Sequence, residues 1–503
     1  MKSGYVGITT KQTEKVFQKI GVLLVALLAV CTLASAQHWT PAPPFPGSGA
    51  AQAILTPWGD VLVQEISGPS GAGTGFWYVL HPDASGSYAT GTWGGPVSTP
   101  SGYAPEFFGS AVLPDGRVLI EGGEYNFGVQ DETTMGSLFD PSSGTFSSLI
   151  APPSGWADIG DAPTVILPNG KFMMGDCCST KEAIFDAGSL SWSTTGGGKA
   201  DPNSEEGFTL LPNGKVLVID TQNGSHTELY DYTTGNWTSA GNTAYPLAYN
   251  CGNPHEVPEL GPAVLRPGGT VFATGANGYT SIYNVGKNKW SKGPVFPPNS
   301  AGLGEDGVAD GPAAILPDGN VLVMASNINP CNVPPSDFYE FNGKSFVTAP
   351  SPPNASNDIS YYGRMVVLPN GGHVLLTDNS TDVEIYVPAG AAKSAWAPTI
   401  TSHPKSIKQG GTYTLKGTKF NGLSQGAAYG DDAQSATNFP LVRLAIGGFT
   451  YYLPTKNFTM GVATGATIVQ TDFSLPFFVG TGAATLEVVA NGLASKPVNI
   501  TVK

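Results

Sequence analysis

Apolar and polar positions alternate over short distances in this chain, and turn residues cut the alternation at regular places. Residues 107–140 show the unit. An apolar run at 110–113 meets Pro114-Asp115-Gly116, a second run follows at 117–121, and Gly122-Gly123 ends it. Runs this short predict strands rather than helices. Asp-Gly between two of them predicts a hairpin closed by a tight primed turn, because such turns need positive φ. The phrase occurs seven times, marked by Pro57, Pro114, Pro168, Pro212, Pro267, Pro317 and Pro369, at gaps of 57, 54, 44, 55, 50 and 52 residues. A third run pairs an aromatic with Asp or Asn, as in Phe139-Asp140, Phe185-Asp186, Tyr230-Asp231, Tyr283-Asn284 and Phe341-Asn342. A fourth carries a large aromatic: Trp93, Phe146, Trp192, Trp237, Trp290, Phe346 and, for the last repeat, Trp396.

Four short strands per unit, at a period near 50, form the signature of propeller blades. One such sheet cannot bury both faces, but radial packing can, with the repeated aromatic wedged between neighbours. The expected fold is therefore all-β, a seven-bladed propeller over residues 37–396. The phrase stops at Ala397-Pro398. Alternating runs at 412–416, 441–446, 485–489 and 498–502 then predict a small β-sandwich of immunoglobulin-like type over 397–503. Within it Tyr429-Gly430-Asp431-Asp432 reads as a polar loop, an ion ligand or a plain Asp-rich turn.

Composition agrees with many tight turns: Gly 66, Pro 42 and only 12% charged residues. Residues 1–36 read as an export signal, with Lys2, Lys11, Lys15 and Lys19 before an apolar core and Ala34-Ser35-Ala36 as the cleavage site. No later stretch is long and apolar enough to span a bilayer, so secretion, a periplasmic location or display at the cell surface is expected. Without those residues 20 basic and 37 acidic side chains remain, a balance of −17. That excludes a nucleic-acid surface. Four cysteines remain, which permit three pairings. Cys251–Cys331 is favoured because both lie in loops of consecutive repeats, leaving Cys177-Cys178 as an adjacent pair.

The repeats resemble kelch blades. Seven of them followed by an immunoglobulin-like domain resemble the galactose oxidase and glyoxal oxidase superfamily, over nearly all of the chain beyond residue 36. The chain is also similar to exported bacterial kelch-repeat proteins of unassigned activity, through phrases such as Gly160-Asp161-Ala162 and Glu205-Glu206-Gly207. The oxidase resemblance implies one copper held by two Tyr and two His, with a Cys cross-linked to one Tyr. Counted back from the marker Pro, the Tyr-His pair falls on Tyr361-Tyr362, the cross-linked Tyr on Phe107 and the Cys near Ala50. The other His should come from the C-terminal domain, where none follows His403. Four of the five positions lack the needed group, so copper-radical oxidation is not carried over.

The same count shows what replaces those groups. Seven residues before the markers lie Ala50, Phe107, Asp161, Glu205, Leu260, Asp310 and Tyr362, flanked by Glu106, Phe108, Glu206, Glu259 and Tyr361. Corresponding residues of aligned repeats converge on one axis, so one rim is expected to carry carboxylates and aromatics. His255 beside Glu256 is a further candidate near that rim. Clustered carboxylates suit a hard cation such as Ca²⁺, Mg²⁺ or Mn²⁺, and rings beside oxygens suit a sugar. The bland alternative is that each acid caps a loop. Three functions follow: a module binding an extracellular carbohydrate or other small ligand, with or without a divalent cation; a glycan-active or divergent oxidoreductase enzyme on the same rim; or a structural surface protein. No phosphate loop, nucleophile elbow or metalloprotease motif occurs.

Overall fold

The computed structural model describes residues 1, 36–68, 71–253, 257–432 and 434–503. The expected export signal therefore lies almost wholly outside the described residues. His38–Lys503 forms one compact unit. Among the described residues no α-helix occurs, only four single 3₁₀ turns, and no helix is long and apolar enough to cross a membrane.

Each of the seven repeats folds as an antiparallel meander. In the second, Gly109–Val112, Val118–Glu121, Gly136–Asp140 and Thr145–Phe146 lie in that order from inside to outside. The marker phrase is the first hairpin, but its turn differs from the expected primed pair. Gly116 N–H donates to Leu113 O at 2.9 Å, Leu113 N–H donates to Arg117 O at 2.8 Å, and only Gly116 has positive φ, +95°. That is a type I turn closed by a left-handed Gly. The Pro explains it: its ring fixes φ near −65°, which a primed turn forbids at that position.

The innermost strands pack side by side in chain order, and Gln52 Nε2 reaches Ser110 Oγ at 3.3 Å between repeats one and two. The outer aromatics tie neighbours together through their ring N–H. Trp237 donates to Glu182 Oε1 at 3.1 Å, Trp290 to Thr227 Oγ1 at 2.9 Å and Trp192 to Ala151 O at 2.9 Å, each reaching back to the preceding repeat. Repeat seven departs from expectation. Its outer strand is His38–Pro41 from the other end of the chain, paired with Glu384–Val387, and Trp39 supplies the aromatic, donating to Pro350 O at 2.7 Å. Trp396 sits in a 3₁₀ turn beyond.

The C-terminal strands form two facing sheets, one containing Thr412–Thr418 and Val469–Ser474, the other Leu441–Ile446, Gly482–Ala490 and Val498–Val502. Leu415, Phe420, Val442, Phe473 and Leu486 fill the space between them. One segment leaves this sandwich and enters the ring. Ala427–Ala428 adds a strand to the innermost strand of repeat six, Ala313–Ile315. Gln425 Oε1 accepts Leu210 N–H at 2.7 Å, Gln434 O accepts Ser110 Oγ–H at 2.8 Å, and Ser435 Oγ–H donates to Ala53 O at 2.8 Å. Gln425, Ala427–Ala428, Gln434 and Ser435 thus touch the inner strands of repeats one, two, four and six.

Candidate functional site

A cavity of about 480 Å³ opens where the leading loops of the repeats meet this inserted segment. Its carboxylates are Asp161 (repeat three), Glu205 (four), Glu259 (five), Asp310 (six) and Asp431 (insert), with Glu106 and Glu124 at the side. Its aromatics are Phe107, Tyr125, Tyr361 and Tyr362. One turn geometry recurs. Phe107, Glu205 and Asp310, equivalent in repeats two, four and six, all have left-handed φ of 50°, 55° and 54°. Non-glycine residues avoid that region at a cost of roughly 1–3 kcal/mol. In repeat three Gly160 takes it instead, at 68°, just before Asp161. In repeat five the counted residue, Leu260, is buried in the core, and its neighbour Glu259 lines the cavity instead.

Among the described residues, ligand atoms of Asp161, Glu205 and Asp431 lie within 4.8 Å of one another, and so do those of Glu205, Glu259 and Asp310. Asp431 is 2% exposed, and its Oδ1 has no hydrogen-bond partner; neither has Oδ1 of Asp310 or of the buried Asp432. Burial pushes the Asp161, Glu205, Asp310 and Asp431 carboxyls well above their usual range. Mutual repulsion adds to it: Glu124 and Asp432 act on Asp161, Asp161 and Glu259 on Glu205, and Asp310 and Asp432 on Asp431. Glu124 is raised to about 7 by burial, then by Glu132 and Asp432. Arg364 is the counter-charge. Its guanidinium lies 3.9 Å from the Tyr429 ring centroid and 5.6 Å from that of Phe107. Nη1 donates to Tyr361 O at 2.7 Å and Gly363 O at 2.9 Å.

Of the residues expected at the rim, Phe107, Asp161, Glu205, Glu259, Asp310, Tyr361 and Tyr362 line the cavity. Phe108 does not: it is buried in the apolar core with its ring 6.0 Å from that of Trp77. Glu206 does not either, being fully buried with Lys199 Nζ at 2.7 Å. Each directly follows a cavity residue held at left-handed φ, Phe107 or Glu205, and that turn sends the next side chain into the core instead of the cavity. His255 lies outside the described residues. Counting missed Glu124, Tyr125 and Asn332, which follow the second strands, and it gave no hint that Asp431 joins the ring. Cys251–Cys331 forms a disulfide with its sulfurs bridging the loops that precede Glu259 and Asn332, and Cys177–Cys178 forms the other.

No family profile and no curated protein matches this chain. Solved structures do. A fungal alcohol oxidase of the AA5 family, in complex with copper, shares 15% identity at a TM-score of 0.51, covering 93% of this chain and all of that one. Virginiamycin B lyase from Staphylococcus aureus shares 9% at 0.47, covering 70% and 98%, and the WD40 β-propeller domain of Doa1 shares 10% at 0.43, covering 69% and 97%. At such identity the first of these shows the fold alone, an all-β propeller. Copper does not fit the donors present. Among the described residues lining the cavity there is no imidazole or thiol, and the converging groups are hard carboxylate oxygens.

Proposed function

We propose that this chain is an exported seven-bladed kelch-type propeller, residues 37–396, with an immunoglobulin-like domain, residues 397–503, and that it binds an extracellular carbohydrate through a hard divalent cation such as Ca²⁺ at its acidic, aromatic mouth. The observation that carries this is the convergence of Asp161, Glu205, Glu259, Asp310 and Asp431, from four repeats and the insert, onto one open cavity. Loop-capping alone does not account for it, since buried Asp431 leaves an oxygen unbonded and turned to its neighbours. Isolated buried carboxylates would stay protonated. A cation replaces those protons and satisfies the same oxygens at bond lengths of roughly 2.3–2.6 Å. The aromatic walls then offer apolar faces for a sugar ring.

Elemental mass spectrometry of the purified protein, before and after chelator, tests the cation, with Tm measured on each sample. Calcium or manganese bound in whole-number stoichiometry is expected. At a hundredfold excess over Kd the ion adds about 2.7 kcal/mol of stability, so chelation should lower Tm by several degrees. A glycan array with Ca²⁺ and with chelator follows, and binding in Ca²⁺ only is expected. Absence of bound metal, together with a Tm that neither Ca²⁺ nor Mn²⁺ moves, sinks the cation.

A further inference from the structure

Resting on the reading that this cluster takes cations, we propose that it is a two-ion centre in which Glu205 is the bridging ligand, Asp161 and Asp431 hold one ion, and Glu259 and Asp310 hold the other. The donor atoms fall into two sets of three that share Glu205, not into one set of five. An ion with bonds of about 2.4 Å reaches oxygens up to ~4.8 Å apart, which is the spread within each set. A single ion therefore satisfies one set and leaves the other unserved. A carboxylate has two oxygens and can give one to each of two ions, as in two-metal sites whose ions lie about 3.5–4 Å apart.

Two further observations agree. Each set contains an oxygen that the protein leaves unbonded, Oδ1 of the almost fully buried Asp431 in one and Oδ1 of Asp310 in the other. Charge also closes better with two ions. Two divalent ions offset four of the five ligand carboxylates and the Arg364 guanidinium, which acts on Asp310, offsets one more, with buried Asp432 as a further acid acting on Asp161, Asp310 and Asp431. One ion would leave three ligand charges and that of Asp432 against a single Arg, an arrangement that burial opposes. The cavity lies over both sets. Two adjacent hydroxyl oxygens of a sugar can then each take an open position on one ion, so the ligand class is a vicinal diol held face-on to the rings of Phe107, Tyr361 and Tyr362.

The test is Mn²⁺ alone, titrated into the chelator-stripped full chain, with bound metal counted after gel filtration and electron paramagnetic resonance recorded at saturation. Two Mn²⁺ per chain and an exchange-coupled spectrum are expected. Asp161→Asn and Asp310→Asn should each retain one uncoupled Mn²⁺, and Glu205→Gln should lose the coupling and weaken both ions at least tenfold. Tm and near-ultraviolet circular dichroism check that the variants fold; if any does not, the count and spectrum of the unaltered chain decide. One Mn²⁺ per chain, weakened alike by both Asn variants, overturns the two-ion centre and leaves the single-cation function standing. No Mn²⁺ overturns both.

Discussion

Asp358 and Asp378 lie against each other in repeat seven, 2% and 4% exposed, with Asn354 Nδ2 donating to one at 2.9 Å and the other at 3.0 Å. Two such carboxylates cannot both ionise cheaply. Burial first, then the charge and hydrogen bond of Asp378, push the Asp358 carboxyl up to about 9. Unfolded, it would titrate near ~3.9. Between those values the native chain holds the extra proton, so stability falls as pH rises, and the fall ends once pH passes about 9. Asp358→Asn keeps a donor toward Asp378 and removes that proton. Relative to the unaltered chain, the variant should therefore gain up to about 1.4 kcal/mol per pH unit between pH 7 and 9. Urea denaturation in chelator at pH 7, 8 and 9 measures this, and parallel curves would refute the shared proton.

The aromatic of the outer strand is where element-level packing concentrates. Trp237 is buried with its N–H on Glu182, its ring 5.8 Å from Phe208 and 5.3 Å from Tyr230, and Lys199 Nζ 5.2 Å from its face. Trp237→Phe keeps much of the packing but strands a buried carboxylate oxygen, which costs roughly 1–3 kcal/mol. Trp192 is only half-buried and its N–H meets a backbone carbonyl, so Trp192→Phe should cost under about 1 kcal/mol. Equal losses in denaturation would contradict this picture of the wedge. These tryptophans were legible in the sequence because repeat spacing carries them, and so were Asp161, Glu205 and Asp310, which share a repeat position. Other features have no local signature. Pro114 decides the turn type through its ring. His38–Pro41 joins Glu384–Val387 across the whole run of repeats.

At the scale of the whole molecule, the ring and the sandwich are joined by more than the chain between them. Asp431 completes one carboxylate set, and Ala427–Ala428, Gln425, Gln434 and Ser435 bond to the inner strands around it. Nothing in 429–432 alone distinguishes a ligand loop from an Asp-rich turn; the difference lies in a ring formed several hundred residues earlier. If those contacts bind the two parts, cutting the chain should not separate them. Residues 389–395 connect the parts and are mostly exposed, so a protease site can be placed there without touching either core. The nicked protein should elute from gel filtration as one species of unchanged size. It should unfold in one cooperative transition and keep the cation content of the intact chain. Separate elution in native buffer would mean that the insert contributes little, and Asp431 would then have to be dropped from the site. Co-elution with loss of metal would mean that packing alone does not hold Asp431 at the site and that the uncut connection is needed as well.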